Sequence, residues 1–124
     1  FNTHFDHKGT QARKKSTDLI LHTIKSKNEE NFPVILTGDF NLGDDSLSIQ
    51  KIQNQMKDVL IGINKSNKYY GTYNGFQFEN INEKRIDYIF TKDLIQLKAE
   101  HIHLKTPYKG WASDHHPVLA ILKL

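Results

Sequence analysis

The 124-residue sequence contains no cysteine. That excludes disulfides, thiolate metal sites and cysteine nucleophiles. Cysteine-free proteins occur on both sides of a membrane, so this absence assigns no compartment. No apolar run approaches the roughly 18 residues that read as a membrane-spanning helix, and no segment has the pattern of a signal peptide. Internal repeats, low-complexity tracts and proline-rich linkers are also missing. Neither sign of charge dominates: 17 Lys and Arg against 14 Asp and Glu leave a formal charge of +3. This excess mildly favours an anionic partner, but the lysines are scattered and the longest basic run is only Arg13-Lys14-Lys15. The length suits one small domain; hydrophobic residues, at 37%, are few for a compact globular fold, while an ordinary 25% of charged residues argues against disorder throughout.

What is present divides into apolar periodicities and polar strand ends. Phe1 to Thr3 reads as the end of a strand cut in half, followed by a polar loop, His4 to Thr10, closed by Gly9. From about Gln11 to Lys27, Ala12, Ser16, Leu19, Ile20, Thr23 and Ile24 recur at helical spacing. Phe32 to Thr37 holds a continuous Val-Ile-Leu run that stops at Gly38, and reads as a strand buried on both faces. Ser46 is a natural N-cap for a second helix, whose stripe is Ile49, Ile52, Met56, Val59 and Leu60. Tyr69 to Phe78 predicts a short strand with a turn at Asn74-Gly75. Arg85 to Phe90, Lys98 to Leu104 and Val118 to Leu122 predict further strands. Helices separate the early strands while later strands follow one another, so the expected fold class is mixed α/β.

The polar residues gather where these strands end. Asp39 and Asn41 leave a strand through Gly38, two residues apart. A carboxylate and an amide suit a hard cation or a phosphate oxygen, although Asp and Asn after a strand also form turns on their own backbone. Asp114 and His115 precede the last strand, where an acid and an imidazole can serve metal and base together; the alternative is a polar loop. Asp87 lies inside an apolar strand, where an unpaired carboxylate is costly. Either a histidine, which it would orient and make more basic, or an ion pair with Arg85 or Lys84 satisfies it. His4 follows a strand end and can donate a proton or bind phosphate. His101 and His103 share a strand face, but no third metal ligand accompanies them. Arg13 heads a helix where its charge opposes the dipole, which suits either phosphate contact or a solvated face. Tyr69, Tyr70, Tyr73, Phe76 and Phe78 read mainly as packing residues, and Trp111 as the better candidate for a substrate wall. Together these groups form the inventory of a magnesium-dependent phosphoester hydrolase.

Asn2-Thr3-His4, Gly38-Asp39-Phe40-Asn41, Ile86-Asp87-Tyr88 and Ser113-Asp114-His115 stand in an order that resembles the endonuclease/exonuclease/phosphatase superfamily, most closely its bacterial branch. Each motif alone is weak; four in order are specific, and they cover nearly the whole chain. The resemblance implies a two-sheet α/β sandwich flanked by helices, four layers deep, of which residues 1–124 form the C-terminal half of a single domain. It implies hydrolysis of phosphodiesters or phosphomonoesters with Mg²⁺ or Mn²⁺. By motif, Asp39 would orient or deprotonate the water and approach the metal, and Asn41 would hold a phosphate oxygen. Asp114 would be a metal ligand. His115, positioned by Asp87, would act as base or steady the phosphorane, and His4 would assist the leaving group. Asp39 and His115 remain rivals for the water's proton. The family's upstream metal-binding Glu has no match here, so residues 1–124 alone are expected to be weakly active or inactive. The expected partner is a phosphoester, either nucleic acid or a small phosphorylated molecule. The competing reading is a catalytically inactive phosphate- or nucleic-acid-binding module of the same fold, and a third treats the polar strand ends as turns. Specificity is expected in the loops His4 to Thr10, Gly62 to Tyr73 and Thr106 to Ser113.

Overall fold

The computed structural model describes residues 1–61, 71–77, 85–102 and 110–124. Among them the order is β1 (Asn2–His4), α1 (Thr10–Lys27), β2 (Val34–Asp39), α2 (Leu47–Gln53), β3 (Lys57–Asp58), β4 (Asp87–Lys92), β5 (Ile95–His101) and β6 (Val118–Lys123). Four strands form one sheet in the order β1-β2-β4-β3, and β5 with β6 forms a second. β1 and β2 run parallel, joined through α1, while β4 runs antiparallel to both β2 and β3. The fold is therefore mixed α/β with two sheets.

Both helices pack on one face of the larger sheet. Leu21 and Ile24 of α1, and Ile49 and Ile52 of α2, meet Val34, Leu36, Phe40, Tyr88 and Phe90 in one buried cluster. Phe40 is fully buried and sets its ring edge-on to Phe5, Tyr88 and Phe90 at 4.9–5.6 Å. Truncating such a ring costs about 3–5 kcal/mol. Its burial pins the chain between Asp39 and Asn41, so core packing fixes the backbone that carries both polar groups.

Several sequence expectations shift. α1 begins within one residue of its predicted start, and Ser46 caps α2 as expected, its side chain accepting the Ile49 N–H. The α2 stripe stops early, however. The helix ends at Gln53, and Lys57 and Asp58 pair instead with Thr91 and Phe90 of β4. Met56, Val59 and Leu60 are buried but not helical. β2 is buried on one face only, since Ile35 is 41% exposed between buried Val34 and Leu36. Arg85 and Ile86 precede β4 rather than lying in it. Between 71 and 77 there is one bridge, Tyr73 opposite His115, and no extended strand. The Asn74-Gly75 turn is present: Gln77 N–H donates to the Asn74 carbonyl, and Gly75 and Phe76 both have positive φ. β5 ends at His101, and His103 and Leu104 lie outside the described residues.

Candidate active site

One row of side chains crosses the larger sheet. His4 sits beside Asp39 in the β1–β2 register, and Asp39 sits opposite Asp87 in the β2–β4 register. Gly38 makes the first of these contacts possible. A Cβ there would lie 2.0 Å from the Thr3 carbonyl oxygen, and its φ of +156° disfavours other residues. The close approach brings His4 Nε2 to 3.3 Å from Asp39 Oδ2, while the His4 side chain stays 73% exposed.

The loop before β6 supplies the fourth member. His115 Nδ1 is 2.8 Å from Asp87 Oδ2, and its Nε2 faces Asp39 Oδ2 at 3.9 Å. The histidine partner that a buried-strand Asp87 needs is thus present. Of the two competing cations, Arg85 turns its guanidinium to Asp58, through Nη1–Oδ1 at 2.8 Å and Nη2–Oδ2. Lys84 lies outside the described residues. The Asp87 contact fixes the imidazole with Nε2 turned outward, toward a cleft of about 390 Å³ lined by Thr37, Asp39, Asp87, Ile89, Ser113, His115, His116 and Val118.

Electrostatics follow from this crowding. Two carboxylates placed directly opposite each other across strands repel. Burial pushes the Asp39 carboxyl above its ordinary value; the Asn41 N–H opposes this, the Asp87 charge adds to it, and His115 and His4 pull back. For His115, burial works against the charged ring, but the hydrogen bond and charge of Asp87, with the charges of Asp39 and Asp114, outweigh it and raise the imidazole. Both groups therefore titrate above their usual ranges.

Asn41 forms the local turn that its position allows, and that turn lies beside Asp39. It has φ +50°, its N–H donates to Asp39 Oδ1 at 2.8 Å, and the pair forms a local turn. Its side-chain Nδ2 donates to the Phe5 carbonyl at 2.9 Å and lies 3.2 Å from Asp39 Oδ2. The turn and the site are the same structure. Among the described residues, the acidic and imidazole groups close enough to share an ion are Asp39, Asp87 and His115, with ligand atoms within 4.8 Å of one another. Asp114 is adjacent in sequence but outside that group; its backbone carbonyl accepts the N–H groups of Asn74 and Gly75.

Two sequence candidates lie away from the cleft. Arg13 donates through Nη1 to the Asp6 carbonyl at 3.1 Å and lines a separate groove with Thr10, Leu42 and Ser46. Trp111 stands behind the wall: its Nε1 donates to the Gln77 carbonyl, and its ring meets His116 edge-on at 4.6 Å. By contrast Tyr73, read from sequence as packing, is 41% exposed and sets its ring edge-on to His115 at 5.2 Å. Phe76 is exposed as well, and Tyr69, Tyr70 and Phe78 lie outside the described residues. Most of the loops Gly62 to Tyr73 and Thr106 to Ser113 also lie outside them.

The sequence model of the Endonuclease/Exonuclease/phosphatase family matches residues 3–115, a span that holds His4, Asp39, Asp87 and His115. The chain belongs to this family. Among solved structures of endonuclease/exonuclease/phosphatase proteins, it is similar to a mannosyl-6-phosphatase from Bacteroides thetaiotaomicron, 28% identical, with a TM-score of 0.80 over 100% of this chain and 50% of that one. An endonuclease/exonuclease/phosphatase from Bacteroides vulgatus is 32% identical with a TM-score of 0.71, covering 98% of this chain and 47% of the other. The human Nocturnin catalytic domain with bound sulfate, 17% identical with a TM-score of 0.73 over 98% and 45%, shares the fold. The chain spans about half the length of these structures. No curated protein sequence matches it.

Proposed function

We propose that the protein containing this chain is a metal-assisted phosphoester hydrolase, with the row His4, Asp39, Asp87 and the adjoining His115 as its proton-handling centre. The observation that carries this is the facing pair Asp39 and Asp87 with His115 bound to the second carboxylate at the mouth of a cleft. Repulsion between the two acids is a cost to folding, and a reaction that needs poised proton acceptors and donors accounts for it.

The donor set fits a hard cation. Asp39 is a crowded carboxylate whose ionisation burial and Asp87 oppose, and a cation beside it would relieve that opposition. Mg²⁺ or Mn²⁺ would be held by Asp39, taking further oxygens from water and substrate, as Mg²⁺ commonly does; Asp114, its expected partner by motif, stands outside the group of ligand atoms that Asp39 forms with Asp87 and His115. When bound, the metal would neutralise charge on the phosphoryl oxygens.

The protein's own groups divide the remaining work. A water approaching phosphorus is oriented by Asp39 and gives its proton to that carboxylate. His115, whose bond to Asp87 favours the protonated ring, offers Nε2–H to the phosphoryl oxygen that gains charge as the new P–O bond forms. As the bond to the leaving group breaks, His4 Nε2–H supplies the proton that the departing oxygen requires. Asn41, whose Nδ2 already points among these atoms, exchanges a local bond for a phosphate oxygen.

For the substrate, the likeness to the mannosyl-6-phosphatase at 28% identity over the whole chain favours small phosphorylated sugars. The modest charge of +3 gives no strong reason to prefer nucleic acid. The test is a panel of sugar phosphates, phosphodiesters and oligonucleotides, assayed with the protein at its natural length, before and after EDTA and with Mg²⁺ or Mn²⁺ restored. Metal-restored release of phosphate from sugar monoesters supports the proposal. Binding of these compounds without hydrolysis under any metal would replace it with the phosphate-binding reading.

A further inference from the structure

A short buried strap holds the Asp87–His115 pair from behind. Thr72 is fully buried, and its hydroxyl oxygen accepts two consecutive N–H groups, from Ile86 at 3.0 Å and from Asp87 at 3.1 Å. Its carbonyl oxygen accepts the His116 N–H at 2.7 Å. One residue therefore grips the start of β4, which carries Asp87, and the loop that carries His115. Asn74, 2% exposed, repeats the grip: its N–H donates to the Asp114 carbonyl at 2.7 Å and its Nδ2 to the Ser113 carbonyl at 3.1 Å, while its Oδ1 accepts the Phe76 N–H.

β4 and β6, which the His115 loop precedes, belong to different sheets. The contact between them that matters for chemistry, Asp87 Oδ2 to His115 Nδ1, is one hydrogen bond between two partly exposed side chains. A single bond of that kind does not fix two chain segments, because each keeps its own rotamer and backbone freedom. The strap supplies the fixing. Valine would match the shape of Thr72 and leave the Ile86 and Asp87 N–H groups without an acceptor; serine would keep it.

We infer that Thr72, backed by Asn74, is a positioning residue: its hydroxyl and carbonyl lock the Asp87 strand end to the His115 loop, and so hold the Asp87–His115 hydrogen bond in the geometry that proton transfer needs. The inference deepens the hydrolase reading and rests on it for catalytic consequence, but the lock itself is independent of which reaction the site performs.

The experiment compares Thr72→Val with Thr72→Ser in the natural-length protein. One readout needs no activity: the imidazole Nδ1 proton of His115, seen by NMR as a downfield signal protected by its bond to Asp87 and assigned by its loss in Asp87→Asn. The other is steady-state kinetics on the best substrate of the panel. Thr72→Val should broaden or abolish the signal and lower kcat about 10- to 100-fold with KM within about twofold, the size of loss that a misplacement of about 1 Å produces. Thr72→Ser should retain both the signal and most of kcat. If Thr72→Val does not fold, Asn74→Ala, which releases the Ser113 carbonyl and the Phe76 N–H but keeps the backbone bond to Asp114, takes its place with a smaller expected loss in the same two readouts. A sharp His115 signal and unchanged kcat in the folded Val or Ala variant would overturn the inference, as would equal losses in Val and Ser. A wild-type protein that hydrolyses no phosphoester would remove the proposed function while leaving the NMR comparison intact.

Discussion

Two acid-centred polar clusters lie close in the chain, one ending at Arg85 and the other including Asp87, and they are built on opposite principles. Asp58 and Arg85 are 1% and 2% exposed, face each other through two parallel contacts, and are completed by the Leu60 N–H and the Gln53 amide on the carboxylate and by the Tyr88 ring under the guanidinium. Opposite charges face each other and are closed off from water. Around Asp39 and Asp87 the match is deliberately poor: two carboxylates face each other, two imidazoles approach one of them, and the group opens on a cleft. A buried pair that is fully matched has nothing left to offer a ligand. A cluster with surplus acid at a cleft mouth holds charge that a cation, a proton or a phosphoryl group can complete.

The contrast predicts that damage to the two clusters will appear in different measurements. The largest effect is on catalysis. Asp39→Ala or His115→Ala should lower kcat by about 10²- to 10⁴-fold, the usual worth of a positioned acid or base. Circular dichroism and the unfolding midpoint should stay near those of the wild type, because neither side chain is part of the buried apolar cluster. Near wild-type kcat in both variants would remove the distinction between the clusters.

Next in size is a loss of stability without loss of chemistry. Arg85→Ala leaves Asp58 as an uncompensated buried charge, and breaking such a pair costs about 3–5 kcal/mol. Denaturant unfolding should show that drop, while the surviving folded fraction keeps a kcat within about twofold of wild type after correction for folded protein. Replacing both partners, with Asp58→Leu and Arg85→Met together, should recover most of the stability. A double variant as unstable as the single one would mean that the pair contributes more than matched charge.

How far the sequence discloses each cluster follows from the range of its contacts. His4, Asp39 and His115 are legible as candidates because each stands beside the end of an apolar run, where local pattern marks a strand mouth. Asp87 could be flagged because a carboxylate in Ile-Asp-Tyr-Ile-Phe violates that pattern. Its partner was narrowed to a histidine or a neighbouring cation, and only the pairing of Arg85 with Asp58, 27 residues away, removes Arg85 from that choice. The same distance hid β3: Lys57 and Asp58 gain their extended form from Thr91 and Phe90, so the helical spacing of Met56, Val59 and Leu60 misled. Thr72 gave no local signal at all, being one threonine in an aromatic, glycine-rich stretch. Arg13 and Trp111 were plausible by type, and their placement depends on loop paths that composition does not encode.

The smallest predicted effect tests whether the poor match at Asp39 is a cost carried for function. Its folded-state pKa is raised, so the native state holds the proton more tightly than the unfolded chain. The sign follows directly. Below the unfolded value of about 3.9 the group is neutral in both states and costs nothing; as pH rises through the folded value, ionisation of a partly buried carboxyl beside Asp87 subtracts stability, and the full penalty is present above it. Asp39→Asn keeps an oxygen to accept the Asn41 N–H and removes the charge. In EDTA at pH 7 the variant should therefore unfold at equal or higher denaturant, by about 0.2–1 kcal/mol as expected for relieving a facing like-charge pair, and the gain should vanish near pH 3. The same variant should lose most of its kcat. A variant less stable than wild type at neutral pH would mean that the Asp39 charge supports the fold, as Asp58 does, and the two clusters would no longer differ in kind.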